Sequence, residues 1–347
     1  MSVPKTYTSL RRSAEPAPYA LVPTTENIPS ELGAHDVLVK IHAISLNFRD
    51  VMQQRGLDPH GVLSQGIPAS DAAGEVAAIG SGVKDFKVGD RVSPSFFNNR
   101  FTDDDIAPPV GLGGGALGVL TEYGVFEDRT LVHLPAQLSW EEAATIPCAG
   151  VTAFNAVNQL QGFTDKSTVL LEGTGGVSSF AMHLLVTAGV HVIVTSSSDE
   201  KIASYTKLSP LIKGINYKKH PDIAQEVKRL TGGKGVNLVI NTVGNSSIPS
   251  CVESLAERGV ISLVGALGGM GEKLKEGTLL NLMFKRGTIQ GVVVGTTEDH
   301  RKLNEFIGQK DVKLSALVDK VFALKEAQKA YDYLGAGKHV GKVIIKV

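Results

Sequence analysis

Two cysteines, Cys148 and Cys251, are all that the 347 residues contain. They are too few to staple a fold of this size, and they match no paired spacing of a zinc site, which fits a reducing compartment and makes the cytosol the expected location. Excess charge is missing too. Lys plus Arg equals Asp plus Glu at 35 each, so nothing is left over to neutralise phosphates, and nucleic acid is not an expected partner. No run reaches the roughly 18 apolar residues of a membrane span, so no membrane partner is expected. No apolar stretch of signal-peptide length follows Arg11 and Arg12; "TYTSLRRSA" reads as the start of a strand or, alternatively, as a weak presequence. There is no tandem repeat. Nine histidines are present, none paired at a ligand spacing such as His-Glu-x-x-His.

What the chain has is glycine, 38 residues of it, clustered at strand-to-loop junctions rather than spread as linker. At about 150 residues per domain the length suggests two domains. The N-terminal third reads as β: "DVLVKIHAISLN" alternates apolar and polar positions, and "GEVAAIGSGV" and "GDRVSPSFF" follow as short strands. The text from Asn98 to Gly118, rich in Asp, Pro and Gly, has no periodicity and reads as a long loop. From about Trp140 the rhythm changes to helix, then to apolar strands alternating with helices: "STVLLEG", "VHVIVTSSS", "GVNLVIN", "GVISLVG" and "TIQGVVVG". That alternation implies a parallel sheet covered on both faces. A helix from about Glu298 to Ile307 and a final strand, amphipathic helix and strand close the chain.

"LLEGTGGVSSF" places Gly173, Gly175 and Gly176 between a buried strand and a helix whose apolar face carries Val177, Phe180, Ala181, Leu184, Leu185 and Ala188. Gly173 suits a tight turn, Gly175 lets backbone approach a pyrophosphate, and the helix N-terminus offers unpaired N–H groups and partial positive charge. Thr174 and Val177 belong to the same cradle. Ser178 replaces the third glycine of the usual pattern, small enough for close packing and able to cap the helix. The residue that holds the adenosine ribose usually lies about 20 positions on and is acidic in NAD sites. Here Ser196, Ser197, Ser198 and Lys201 stand there. Hydroxyls and a lysine accept a 2′-phosphate that a carboxylate would repel, so NADPH is favoured over NADH. Asp199 and Glu200 act against that preference, although they also suit the first turn of a helix.

Together with "DVLVKIHAISLNFRD", "AAGEVAAIGSGVKDFKVGDRV", "IPCAGVTAFNAV", "VLLEGTGGVS", "INY" and "VGKVIIKV", these motifs span nearly the whole chain. In that order they resemble the medium-chain dehydrogenase/reductase superfamily, and within it the zinc-free quinone oxidoreductase-like branch. The resemblance implies an α/β protein with two domains. A GroES-like, β-rich catalytic domain would comprise residues 1–130 and 300–347, and a Rossmann NAD(P)-binding domain residues 131–299, with a substrate cleft at their junction. It adds Tyr217 beside the adenosine phosphate. Asn241, Thr242 and Val243 after the fourth strand, Gly265, Ala266 and Leu267 after the fifth, and Val294 and Gly295 after the sixth complete the implied cofactor contacts. A homodimer joined through "TIQGVVVG" is the family expectation.

In zinc-dependent members of the superfamily, the first catalytic ligand is a Cys where Asn47 stands, the second a His where Ser70 stands, and the third corresponds to Cys148. A catalytic zinc wants three protein ligands and one open position, so Cys148 lacks partners and reads as a small residue near the cofactor. The four cysteines of the structural-zinc lobe are absent from "SFFNNRFTDDDIAPPVGLGGG". The expected chemistry is therefore zinc-independent hydride delivery from NADPH to a quinone, enone or related carbonyl compound. Asn47 is the candidate that hydrogen-bonds substrate or nicotinamide. Arg49 and Asp50 follow it, as site residues or as an ion pair fixing a turn, and His60 is a candidate proton donor in a stretch with no Tyr. Two alternatives stand beside this reading: an alcohol or aldehyde dehydrogenase of the same superfamily, and a dinucleotide-binding sensor or structural protein with little turnover.

Overall fold

The computed structural model describes residues 3–269 and 273–347. The chain forms two compact units, one from Met1–Val151 with Val294–Val347 and the other from Thr152–Val293. The first unit thus takes in residues 131–151, placed with the dinucleotide domain on sequence grounds. The physical reason is strand pairing: Leu131–His133 pairs antiparallel with Arg91–Pro94, and the Cys148 N–H donates to Asp71. Among the described residues no helix is long and apolar enough to cross a membrane. Both cysteines are free thiols.

The first unit opens with β1 (Thr6–Arg12), β2 (Leu21–Asn27), β3 (Asp36–Leu46), β4 (Asp71–Ile79), β5 (Arg91–Pro94), β6 (Tyr123–Glu127) and β7 (Leu131–His133). The inserted unit supplies β8 (Thr168–Leu171), β9 (His191–Ser196), β10 (Ile212–Asn216), β11 (Val236–Asn241), β12 (Leu255–Leu263) and β13 (Thr288–Gly291). After it the first unit resumes with a helix, Thr297–Lys310, and then β14 (Val318–Ala323), a helix Ala327–Gly335, and β15 (Lys342–Lys346).

In the inserted unit all six strands run parallel in the order β10-β9-β8-β11-β12-β13. This is the doubly wound order, with strand direction of travel reversing between β8 and β11, where such sheets bind ligands at the carboxyl ends of their strands. The strands are near-continuous apolar runs because both faces are covered; Leu170, Ile193, Val239 and Ile261 share one core. Helix Gly176–Thr187 buries Phe180 with Leu184 and Ala181 with Leu185, pairs four residues apart that share a face. The expected α/β class with a parallel-sheet domain is what the chain adopts.

In the first unit β3 is the spine. It pairs antiparallel with β15, β4 and β6, so the returning strand β15 completes a sheet begun some three hundred residues earlier in the sequence, by the pairing Val343↔Leu46. Ile41, Ile44, Leu46, Val51, Tyr331, Val343 and Ile345 lie in its core. The 98–118 segment, although it lacks regular structure, is well tied. Phe97 bridges Gly111, Asp105 accepts the N–H groups of Phe101 and Thr102 at 2.7 and 2.8 Å, and Arg49 donates to Leu112 O at 3.0 and 3.1 Å. Arg12 lies buried in β1 and donates to Gln53 Oε1 at 2.9 Å and to Gly113 O.

Two positions carry measurable consequences. Gly74 faces Ile41 where the β3–β4 register slips, and a Cβ there would sit 2.4 Å from Lys40 O and 2.6 Å from Val39 Cγ1. Backbone cannot yield as a side-chain tip can, so Gly74→Ala is expected to cost more than about 2 kcal/mol, read as a lower denaturant midpoint. Asp50 is buried within helix Phe48–Gln54, one oxygen accepting the Asn47 N–H at 2.8 Å and the other without a hydrogen bond. Burial raises its pKa to about 6 against the opposing attraction of Arg49. As pH rises the unfolded chain therefore loses this proton first, and stability drains until the folded carboxyl ionises too. Asp50→Asn should raise stability by roughly 1–3 kcal/mol above pH 7 and leave it unchanged near pH 3.5, as thermal melts at the two pH values would show.

Candidate functional site

Within the inserted unit, the glycine turn follows β8. Gly173 takes φ +75°, the left-handed region that glycine enters freely. Gly175 caps helix Gly176–Thr187, and a Cβ on it would meet nothing within 4 Å, so the space over the helix N-terminus stays open. Open space, a left-handed glycine and free first-turn N–H groups make a cradle that fits a pyrophosphate. Ser178 works differently from expectation. It is buried, and its hydroxyl donates to Glu172 O at 2.8 Å, bracing the turn from beneath instead of capping the helix.

At the end of β9, Ser196 Oγ accepts the Ser198 N–H at 3.2 Å and Ser198 Oγ accepts the Lys201 N–H at 3.3 Å, so Ser198 is the cap of helix Asp199–Thr206. Ser197 is half-exposed between them. Tyr217 lies beside this corner, its N–H donating to Ser196 O at 3.1 Å and its ring half-exposed. Asp199 is already engaged. Lys219 Nζ donates to one carboxylate oxygen at 2.5 Å and Asn216 Nδ2 to the other at 2.7 Å, and these bonds, Lys219 first, hold its pKa below the usual carboxylate range. A carboxylate neutralised in this way repels an added phosphate far less than a bare one.

Past β11 the picture departs from the sequence reading. The Asn241 side chain is fully buried and spent on the turn itself: Nδ2 donates to Ser247 Oγ at 2.8 Å and Oδ1 accepts the Gly244 N–H at 2.9 Å. The N–H groups of Thr242 and Val243 donate to Glu172 Oε2 at 3.0 and 3.2 Å, and the Cys251 thiol donates to Oε1 at 3.2 Å. Glu172 thus clamps the two strands at the switch point, a role that its place in the glycine motif did not disclose. Burial and then the neighbouring Glu172 push the Cys251 thiol well up. Gly265, half-buried, and the exposed Ala266 and Leu267 are laid along Thr242, with the Leu267 N–H donating to Thr242 O at 3.1 Å. Val294 and Gly295 fall beyond the end of β13, in the first unit.

In the first unit the expected zinc-ligand positions do converge, around a different set of charges. Asn47 follows β3, Ser70 and Asp71 open β4, and Cys148 sits in a π-helical turn, Ile146–Gly150, where Pro147 removes one N–H from the ladder. Asp71, fully buried, accepts the Ser70 hydroxyl at 2.6 Å and the Cys148 N–H at 3.2 Å. Lys342, the first residue of β15 and 2 % exposed, donates to Leu46 O at 2.8 Å and to Asn47 Oδ1, with Asp71 Oδ2 3.9 Å away. Burial pushes the Cys148 thiol up, as does Asp71. Burial also raises Asp71, with Lys342 the largest opposing influence.

This donor set does not fit zinc. An ammonium already lies against the amide oxygen of Asn47 and a hydroxyl stands in the second ligand position, so Cys148 has no ligand partners beside it. Among the described residues no three His, Cys, Asp or Glu groups gather in a way that could hold a metal. Lys342 lies within "VGKVIIKV". Its signal in the sequence is a lysine directly before the apolar run Val343, Ile344 and Ile345.

The remaining candidates are structural in their contacts. Arg49 lies over the Phe96 ring at 4.7 Å, holds Leu112 O, and stands 3.8 Å from Asp58, so its ion partner is Asp58 and not the neighbouring Asp50. Asp50 faces inward. His60 is exposed on its loop, where its backbone N–H donates to Asp58 Oδ1 at 2.9 Å.

Comparison with known proteins gives one family match within the first unit and a second that covers most of the inserted unit and runs on past it. Residues 33–136 match the alcohol dehydrogenase GroES-like domain and residues 176–309 the zinc-binding dehydrogenase domain. A zinc-type alcohol dehydrogenase-like protein of Schizosaccharomyces pombe is 37 % identical over 94 % of this chain and 95 % of its own length. A quinone oxidoreductase of Pseudomonas aeruginosa is 31 % identical over 91 % and 93 %. Among solved structures, a putative alcohol dehydrogenase from Sinorhizobium meliloti 1021 superposes with TM-score 0.90 at 30 % identity, with 100 % of both chains covered. An Escherichia coli quinone oxidoreductase complexed with NADPH shares the fold at TM-score 0.78 and 24 % identity, over 98 % of this chain and 100 % of its own. With its GroES-like unit, its doubly wound parallel sheet and relatives matched over nearly their full lengths, the chain is an oxidoreductase belonging to the medium-chain dehydrogenase/reductase superfamily.

Proposed function

We propose that the protein is a zinc-independent, NADPH-preferring reductase of quinones, enones or related carbonyl compounds. The observation that carries this reading is the occupant of the catalytic-metal position: Lys342 bonded to Asn47 Oδ1 and neutralising Asp71 where metal ligands would be needed. Without a Lewis acid, the substrate must bring its own electron deficiency, as a quinone or the β-carbon of an enone does. The dinucleotide, when bound, supplies the hydride. The protein's share is to meet the substrate oxygen with the Asn47 amide N–H as negative charge gathers there, and to leave the final proton to solvent. The cradle of Gly173, Thr174, Gly175, Gly176 and Val177 would hold the pyrophosphate. Ser196, Ser197 and Lys201 would hold a 2′-phosphate, beside an Asp199 already neutralised by Lys219, with Tyr217 flanking them.

A homodimer is part of this proposal. Among the described residues β13 is an edge strand with one side unpaired, and the helix just before it and the residue two places after it in sequence carry exposed apolar side chains: Leu279, Leu280, Met283, Phe284 at 73 % and Val293 at 76 %. An open edge beside such a patch is a template for pairing with a second copy about a twofold axis. The double variant Leu280→Glu with Phe284→Glu should elute at the monomer mass on size-exclusion chromatography with light scattering while the parent chain elutes at twice that mass.

The activity is tested with metal-stripped protein by following oxidation of NADPH and NADH with a quinone and an enone as acceptors. Turnover without metal, at least about tenfold better with NADPH than with NADH as a phosphate-binding lysine and serines imply, is the expected result. Alcohol oxidation that appears only when zinc is restored would overturn the reading. Cofactor binding with no turnover on either acceptor would favour a sensor or structural role.

A further inference from the structure

Of the polar side chains gathered at the metal position, Ser70 and Asp71 are fully buried, Lys342 is nearly so, and Asn47 alone of these four reaches the surface. Of these four, only that amide can meet a ligand. An amide has two ends of opposite hydrogen-bonding character, so which end faces outward decides what the site can bind.

We infer that Lys342 is a positioning residue, locking the Asn47 amide with its oxygen inward and its NH₂ available to substrate, so that the unit presents a hydrogen-bond donor to a carbonyl or quinone oxygen. The inference rests on the reductase reading above and names what fixes its polarity. An ammonium carries donors only, so the atom against Lys342 Nζ must be Oδ1. On the other side, the Ser70 hydroxyl has committed its proton to Asp71 Oδ1 at 2.6 Å, which turns a lone pair toward Asn47 Nδ2 at 3.5 Å. The two charges therefore set every direction in the chain from Lys342 through Asn47 and Ser70 to Asp71. A flipped amide would put N–H groups against an ammonium and lose its hydrogen bond in a buried setting. One amide hydrogen points toward Ser70, and the second, which Asp71 also draws, is the one a ligand oxygen would take over at this half-exposed side chain. The ammonium behind Oδ1 also polarises the amide, making that second hydrogen a stronger donor as substrate oxygen gains charge. A substrate offering an acceptor oxygen is favoured over one offering a hydroxyl proton.

The test compares Lys342→Met, Lys342→Arg, the double variant Lys342→Met with Asp71→Asn, and Asn47→Asp, measuring kcat, the KM for NADPH and the thermal midpoint of each. Lys342→Met alone should melt earlier because it leaves Asp71 buried and unpaired. The double variant removes both charges and should recover the midpoint, yet kcat should remain down by about ten- to a hundredfold with KM for NADPH unchanged. Lys342→Arg, which keeps a donor-only cation, should recover most of kcat. Recovery of kcat together with stability in the double variant would overturn the inference, since a merely structural lysine predicts that result. If the double variant does not fold, kcat per folded molecule of Lys342→Met, taken below its midpoint, decides between the same two outcomes. Asn47→Asp keeps a partner for Lys342 but offers no N–H, and should stay folded with kcat lowered by a similar factor. Wild-type kcat in Asn47→Asp would mean that the amide is not the substrate donor, a failure of the underlying functional reading. A low kcat there, with full activity in the charge-free double variant, would overturn the role of Lys342 alone.

Discussion

An ammonium and a carboxylate shut away from water need partners for nearly every hydrogen and lone pair, or their burial costs more than their attraction returns. Lys342 and Asp71 are such a pair, and four separate stretches of chain are drawn together to satisfy them. The end of β3 gives Leu46 O and the Asn47 amide, the start of β4 gives the Ser70 hydroxyl, the π-helical turn gives the Cys148 N–H, and β15 brings the lysine itself. Remove either charge and the other would be left uncompensated. The local geometry where these four stretches meet is therefore organised by this one buried pair.

The inserted unit solves a parallel problem with one carboxylate. Glu172 ends β8 at the point where the sheet reverses its direction of travel, and its two oxygens collect donors from Thr242, Val243 and Cys251. This leaves the glycine turn next to it with little side-chain bulk of its own. The turn's shape comes from Gly173 and from the Ser178 hydroxyl beneath it. In each unit, then, a buried anion holds the strand ends while a small, open surface faces outward.

How much of this could be read beforehand follows from how local each feature is. The glycine turn, the helix after it and the apolar parallel strands are written in neighbouring residues, and they were legible. The fold order followed from them and from the resemblance. Asn47, Ser70 and Cys148 were legible as positions of interest because each is defined by its own motif. Lys342 was not, since its partners lie in β3 and β4 and its meaning depends on a strand pairing that periodicity does not state. Asn241 looked like a ligand contact but proved to be a brace, because a side-chain amide at a strand end serves either purpose and only burial tells them apart. The border near residue 130 was misplaced for a similar reason: the change to helical text at Trp140 precedes the change of unit, which waits until Val151.

The antiparallel pairing of β15 with β3 has a consequence for synthesis. During translation β3 emerges early, yet its neighbour on one side follows the whole inserted unit. Until then the nascent sheet carries an open hydrogen-bonding edge, and Asp71 has no ammonium to meet it. The inserted unit is contiguous and can collapse on its own while the flanking one waits, so the order of assembly runs from the middle of the chain outward. The Lys342–Asp71 pair is thus completed only when β15 is made, and an interrupted chain would hold a finished parallel sheet and an unfinished antiparallel one.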